Sequence, residues 1–181
     1  MPSLEIIIRK SSLIDLHDIA KIHLACWKEN YKELIEQNFL DSLKLENLLK
    51  KRKKIIQKDP NIQLVAVHDN KVIGFCDAGP FYSRQNQHMS REKKAKFVET
   101  GELYAIYVCP RYQNQGAGRA LFFQAKIELI QRNLLPFIVW TLNDNYISRR
   151  FYESLGGILI EKMYGEWGGQ KYLLVAYRFE K

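Results

Sequence analysis

The sequence predicts an α/β domain, a mixed sheet with helices packed against it. Two observations carry this. Leu103 to Leu142 passes from strand to helix and back to strand, a connection that makes its two strands parallel neighbours. Ile62 to Ala78 reads as two strands joined in a tight hairpin, which pair antiparallel, and Ile158 to Phe179 holds two final strands. At 181 residues the chain is expected to form one domain, 1–181, with a proper core.

The elements follow in order. Glu5 to Arg9 reads as a first strand. Ser11 or Ser12 caps a helix carrying Leu13, Leu16, Ile19, Ala20 and His23, which runs on into Cys26-Trp27-Lys28-Glu29-Asn30-Tyr31. Lys44 to Lys58 is a second helix with Leu45, Leu48, Leu49, Ile55 and Ile56 as its buried face. Its run Lys50-Lys51-Arg52-Lys53-Lys54 is the densest charge in the chain and reads as a solvated face. An RNA or acidic-protein contact would need aromatic interleaving or a recognised module, and neither is present.

Asp59-Pro60-Asn61 breaks the chain. Ile62–His68 and Lys71–Ala78 read as strands joined by a tight turn at Asp69-Asn70, and Gly79-Pro80 ends the second. Tyr82 to Lys96 is polar and reads as a mobile loop with room for a short helical piece. His88 lies in it, without a visible partner, and reads as a solvent-exposed histidine. Leu103 to Cys109 is rich in aromatic and β-branched residues, as a half-buried strand requires, and Pro110 ends it. Gln113-Asn114-Gln115-Gly116-Ala117-Gly118 then turns into a helix from Arg119, with Leu121, Phe122, Ala125 and Leu129 on one stripe.

Asn133 and Pro136 close that helix. Phe137–Leu142 is nearly all apolar, as a strand buried on both faces is. Asn143 to Asn145 supplies caps for a helix ending at Leu155, with Ile147, Phe151 and Leu155 as its buried stripe and Tyr152 at the stripe's edge. Gly156-Gly157 stops it. Ile158–Met163 and Lys171–Phe179 are the last strands, connected through Tyr164 to Gln170.

Composition narrows the classes. The apolar runs are far too short to cross a bilayer, and MPSLEIIIRK lacks the basic and apolar regions of a secretory signal. Cys26, Cys76 and Cys109 are odd in number and widely spaced, suggesting neither a disulfide framework nor a zinc site; a reducing cytoplasm is the simple reading. The net charge of +8 favours anionic partners in general.

A glycine-bearing turn between a strand and a helix is a place for phosphate. The first helical amides lack intrahelical acceptors, and the macrodipole adds partial positive charge. No Gly-Lys-Ser/Thr is present and Gly-x-Gly-x-x-Gly is incomplete, so neither common nucleotide loop is matched. What Gln113 to Gly118 resembles is Gln/Arg-x-x-Gly-x-Gly/Ala, the acyl-CoA loop of the GNAT superfamily of N-acetyltransferases. Glu102 lies eleven residues earlier, and Asn145 to Gly156, NYISRRFYESLG, resembles that family's later motif. The resemblance spans nearly the whole chain. Gly157 departs from it, since most relatives carry an apolar residue there.

The resemblance implies a central mixed sheet of six to seven strands flanked by about four helices, acetyl-CoA as cosubstrate, and acetyl transfer to a primary amine by direct attack in a ternary complex. It implies that Gln113, Asn114, Gln115, Gly116, Ala117, Gly118 and Arg119 hold the diphosphate. Ile106, Tyr107, Val108 and Asn145 would meet the pantetheine arm. Glu102 would act as general base through water, Tyr152 as acid to the CoA thiolate, and the N–H of Ile106 as oxyanion donor. On the pleat, Glu102 is expected to share a face with Tyr104, Ile106 and Val108. Trp27, Tyr31 and Phe39 are candidate acceptor walls, or else ordinary core aromatics. Glu102 also reads as a strand-start surface charge, Asn145 as a plain helix cap, and Tyr152 as a packing tyrosine. Cys109 reads as structural rather than as an acetyl carrier.

The acceptor is a small-molecule or peptide amine. A polycation would need Glu29, Glu33, Glu36 and Glu99 to form an acidic groove. No metal, membrane or nucleic-acid partner is expected, and a homodimer stays open. A non-catalytic acyl-CoA sensor on the same fold is the alternative.

Overall fold

The computed structural model describes residues 5–56, 61–81, 90–95, 97 and 100–180. Its strands are β1 (Ile7–Lys10), β2 (Ile62–His68), β3 (Lys71–Pro80), β4 (Gly101–Val108), β5 (Phe137–Leu142), β6 (Ile158–Trp167) and β7 (Gln170–Phe179). They form one mixed sheet in the order β1-β2-β3-β4-β5-β7-β6, antiparallel except for the β4–β5 pair. The α-helices are α1 (Leu16–Asn30), α2 (Gln37–Ser42), α3 (Leu45–Ile56), α4 (Arg91–Ala95), α5 (Ala117–Gln131) and α6 (Tyr146–Ser154). The expected four are α1, α3, α5 and α6. The short α2 escaped the sequence reading, and α4 is the helical piece expected before β4. His88 and Glu99 lie outside the described residues.

Local chemistry explains most boundaries. Asp69 and Asn70 both take positive φ, 47° and 58°, the two-residue turn whose twist matches the β2–β3 hairpin. Gly168 and Gly169 do the same for β6 and β7, which are therefore longer than expected and meet directly. Leu13 sits in a 3₁₀ turn ahead of α1 and is exposed, so the buried face of the first helix begins at Ile19.

Helices α5 and α6 cover one face of the sheet. Leu121, Phe122, Ala125 and Leu129 are fully buried there against Ile73, Cys76, Leu103 and Phe137. The other face carries α1, whose Ile19, Ile22 and Cys26 pack on Val65 and Phe75. Gly157 has a packing reason. A Cβ there would come within 2.8 Å of the Phe179 ring and 2.9 Å of the Tyr152 carbonyl, so the Phe179 ring fills the room that an apolar side chain would take.

Three expectations need correcting. In α6, Ile147 is 83% exposed while Tyr152 is 5% exposed, so the inward residue is Tyr152 and the stripe is rotated by one position at its start. In α3, the basic run is not uniformly solvated: Arg52 is 3% exposed and faces the sheet. The third concerns β4. Asp77 stands opposite Ala105 and Ala78 opposite Leu103, so Tyr104 is an extra residue, a β-bulge. The bulge reverses the alternation. Leu103, Ile106 and Val108 face α5, while Ala105 and Tyr107 join the α1 face. Glu102 therefore shares a side with Ala105 and Tyr107, not with Ile106 and Val108.

Candidate active site

The sheet opens at its centre. Strands β4 and β5 pair only at Gly101–Phe137, Glu102–Ile138 and Leu103–Val139. Beyond the bulge β4 continues to Val108 and β5 continues beside β7 to Leu142, without pairing with each other. Cys109 donates its N–H to the Ile73 carbonyl on β3. Backbone alternation then turns the Tyr107 N–H toward β3 and the amide groups of Ile106 and Val108 toward the opening. The Val108 carbonyl accepts from the Gln113 side chain at 3.0 Å and from the Cys26 thiol at 3.2 Å.

Gln113 thus ties the following loop to the end of β4. Its own N–H is used by the Pro110 carbonyl. Among the described residues, the backbone N–H groups of Asn114 to Arg119 have no acceptor in the protein. Asn114 and Gly116 hold positive φ, 58° and 92°, and Gly116 is the N-cap of the 15-residue α5. A Cβ at Gly116 would meet nothing within 4 Å, so its backbone is open to a ligand. Arg119 is exposed, its guanidinium 5.9 Å from the Phe123 ring.

On the α1 side of the opening lies a cavity of about 620 Å³. Glu102, 4% exposed, stands on its wall with Tyr107, Trp27 and Tyr31. A plain surface charge is thereby excluded for Glu102. Trp27 Nε1 donates to the Tyr107 hydroxyl at 3.0 Å, and Tyr31 stands beside them on the wall. Phe39 is not on the wall; it backs Trp27, ring centroids 6.0 Å apart. Glu29, Glu33 and Glu36 are exposed and do not reach the cavity.

Tyr152 approaches from the α5 side. Burial, then the neighbouring Tyr31 hydroxyl and Cys76, push its pKa well above the usual phenol value. Asn145 is buried and accepts from the Ser148 N–H at 3.0 Å, the expected cap of α6. Cys109 packs beside the α1 cluster, and burial pushes the Cys26 thiol up to about 12, so the latter is no nucleophile at neutral pH.

The sequence reading missed a buried polar cluster beside Tyr107. Arg52 pairs with Asp77, lies 4.2 Å over the Phe75 ring, and donates to His23 Nδ1 at 3.2 Å. His23 stacks on Tyr107 at 5.1 Å. Burial, then the charges of Arg52 and Lys51, lower the His23 pKa to about 3, so the ring is neutral. The one signal in the sequence was Asp77, a lone carboxylate inside the apolar strand VIGFCDAGP.

Comparison with known proteins agrees with this geometry. Residues 16–157 match the family model described as the acetyltransferase (GNAT) family. The chain is 33% identical over 138 residues to an uncharacterized N-acetyltransferase of Bacillus subtilis, YuaI, covering 76% of this chain and 72% of that protein. It is 21% identical over 154 residues to a spermidine N(1)-acetyltransferase of Thermoplasma acidophilum, 82% and 86% of the two chains. Among solved structures, the PaiA N-acetyltransferase of the same organism in complex with coenzyme A superposes with a TM-score of 0.72 at 19% identity, over 95% of this chain and 98% of that one. With a parallel β4–β5 pair that parts after three residues, a glycine-capped α5 beside the gap, and a family match across most of its length, the chain belongs to the acetyltransferase (GNAT) family.

Proposed function

We propose that this acetyltransferase transfers the acetyl group of acetyl-CoA directly to a primary amine, with Glu102 as base and Tyr152 as acid. The observation that carries the reading is the opening itself. It has a carboxylate on one face, a protonated phenol on the other, and unpaired amides at the start of α5 beside it.

The residues fit the cosubstrate. The N–H groups of Asn114 to Gly118 can donate to a diphosphate, with Arg119 as a nearby cation. The backbone of Ile106 and Val108 faces the opening and can pair with the amide-bearing arm as a strand would, with Asn145 across from it. When bound, acetyl-CoA supplies an activated acyl carbon and a thiolate leaving group. Glu102 sits within a cavity large enough for an amine and takes the amine's proton through water. The Ile106 N–H is the donor placed for developing oxyanion charge. Tyr152 keeps its proton at neutral pH, because burial disfavours the phenolate, and presents it toward the departing sulfur. The Trp27 Nε1–H bonded to the Tyr107 hydroxyl lies on the same cavity wall. The three free thiols, Cys26, Cys76 and Cys109, suit a reducing cytoplasm.

The test is release of free thiol from acetyl-CoA across a panel of amines. Tyr152→Phe should lower turnover by about a hundredfold or more while acetyl-CoA affinity stays within about twofold. Equal turnover in the variant refutes the acid role. Tight CoA binding without thiol release for any amine would favour a sensor.

A further inference from the structure

The cavity offers three different surfaces around Glu102. Toward β5, β6 and β7 the wall is apolar, made by Trp140, Leu142, Met163, Trp167 and Leu174. Toward α3 it is basic, made by Lys51, Arg52 and Lys54. Strand β4, with Glu102, lies between β5, which carries Trp140 and Leu142, and β3, whose Asp77 pairs with Arg52 of α3.

The charges on the wall are unequally matched. Asp77 and Glu102 are the carboxylates that reach it among the described residues. Asp77 is occupied by Arg52. Lys51 and Lys54 have no carboxylate within 4.0 Å among the described residues. Partial removal from water and the neighbouring Arg52 hold the Lys51 pKa below its usual value, and attraction to an anionic group brought against it acts in the opposite direction. Two further buried nitrogens on the wall are donors. Trp140 Nε1 is buried with no acceptor among the described residues. His23 Nδ1 faces the permanently protonated Arg52, so the ring proton sits on Nε2 and makes that atom a donor too.

A second ammonium in such a cavity would meet Lys51 and Lys54 and find no unengaged carboxylate. An anion would meet cations and donors. An apolar group would meet indole rings and aliphatic chains. Resting on the reading given above, we propose that the acceptor is an amine of amino-acid to dipeptide size that carries an anionic group and an apolar side chain. Its amine lies at Glu102, its carboxylate toward Lys51 and Lys54, and its side chain against Trp140 and Trp167. Amine, anion and apolar group diverge from one centre, as the substituents of an α-amino acid do. Polyamines are rejected.

Thiol release is measured with the twenty common amino acids, with phenethylamine, tryptamine and isoamylamine as carboxylate-free counterparts, and with spermidine. CoA affinity is measured in parallel by calorimetry. An apolar amino acid should exceed its decarboxylated counterpart in kcat/KM by at least about tenfold. Lys51→Glu combined with Lys54→Glu should erase or invert that preference with CoA affinity unchanged. Spermidine as the best acceptor, equal rates for matched pairs, or an unaltered preference in the double variant each overturns the acceptor inference alone, whereas CoA binding without acetylation of any amine favours a sensor and overturns the reading beneath it. Failure to bind CoA overturns that reading as well.

Discussion

Replacing Arg52 by Met tests whether the buried polar cluster holds α3 and the cavity wall in place. Met fills much of the same volume without charge. The change removes the ion pair to Asp77, the hydrogen bond to His23 Nδ1 and the guanidinium stacked 4.2 Å over Phe75. It also leaves the Asp77 carboxylate, 7% exposed, without its partner. Breaking one side of a buried pair typically costs about 3–5 kcal/mol, most of it the stranded charge. For a domain of this size that corresponds to a melting temperature lower by roughly 6–20 °C. Pairing Arg52→Met with Asp77→Asn removes the stranded charge, so the double variant should be more stable than the sum of the single losses allows. Thermal and urea unfolding of all four proteins gives the cycle. An Arg52→Met protein that melts within about 2 °C of the parent, or strictly additive losses, would refute the reasoning.

Two further outcomes follow from the site. Gly116→Asp places a carboxylate among the amides proposed to grip phosphate, at a φ of 92°. Gly116→Asn carries similar backbone strain without the charge, since Asn tolerates that region. Calorimetry should show CoA affinity lower for Asp than for Asn by about tenfold or more, and equal affinities would reject the phosphate placement. Stability should also depend on His23 below neutrality. Its folded pKa, about 3, is below the unfolded value, so between pH 6.5 and 3 the unfolded chain binds one proton more. Stability from this group is full above pH 6.5 and is lost as pH falls, with a slope approaching 1.4 kcal/mol per pH unit. Asp15, held low by its hydrogen bond to Arg9, adds its loss only below the usual carboxylate range. His23→Gln should therefore flatten the profile between pH 6.5 and 4, checked by urea midpoints; an unchanged slope assigns the acid sensitivity elsewhere.

Much of the site was legible because its signals are local. The glycine turn that opens α5 follows from Gly116 and Gly118, the hairpin from Asp69-Asn70, and the α6 cap from Asn145. Each rests on backbone geometry over a few residues. The face of Glu102 was not legible. Strict alternation along β4 put it with Ile106, and the bulge at Tyr104 put it with Tyr107 instead. Tyr152 was placed at the edge of a stripe whose first member, Ile147, is in solvent. Helical period gives spacing, and the packing of α6 on the sheet gives its rotation.

By itself the sequence determined a strand, a glycine-bearing turn, a helix and a parallel strand, because side-chain period and turn chemistry are written along the chain. Tertiary structure alone decided which charge goes inside. Lys51, Arg52 and Lys53 are indistinguishable by pattern, yet Arg52 is the one that meets Asp77, 25 residues away on β3. A charge can be buried only where a distant partner and a low-cost hydrogen-bond geometry await it, and that meeting is fixed by how α3 lies on the sheet, not by the residues on either side of Arg52.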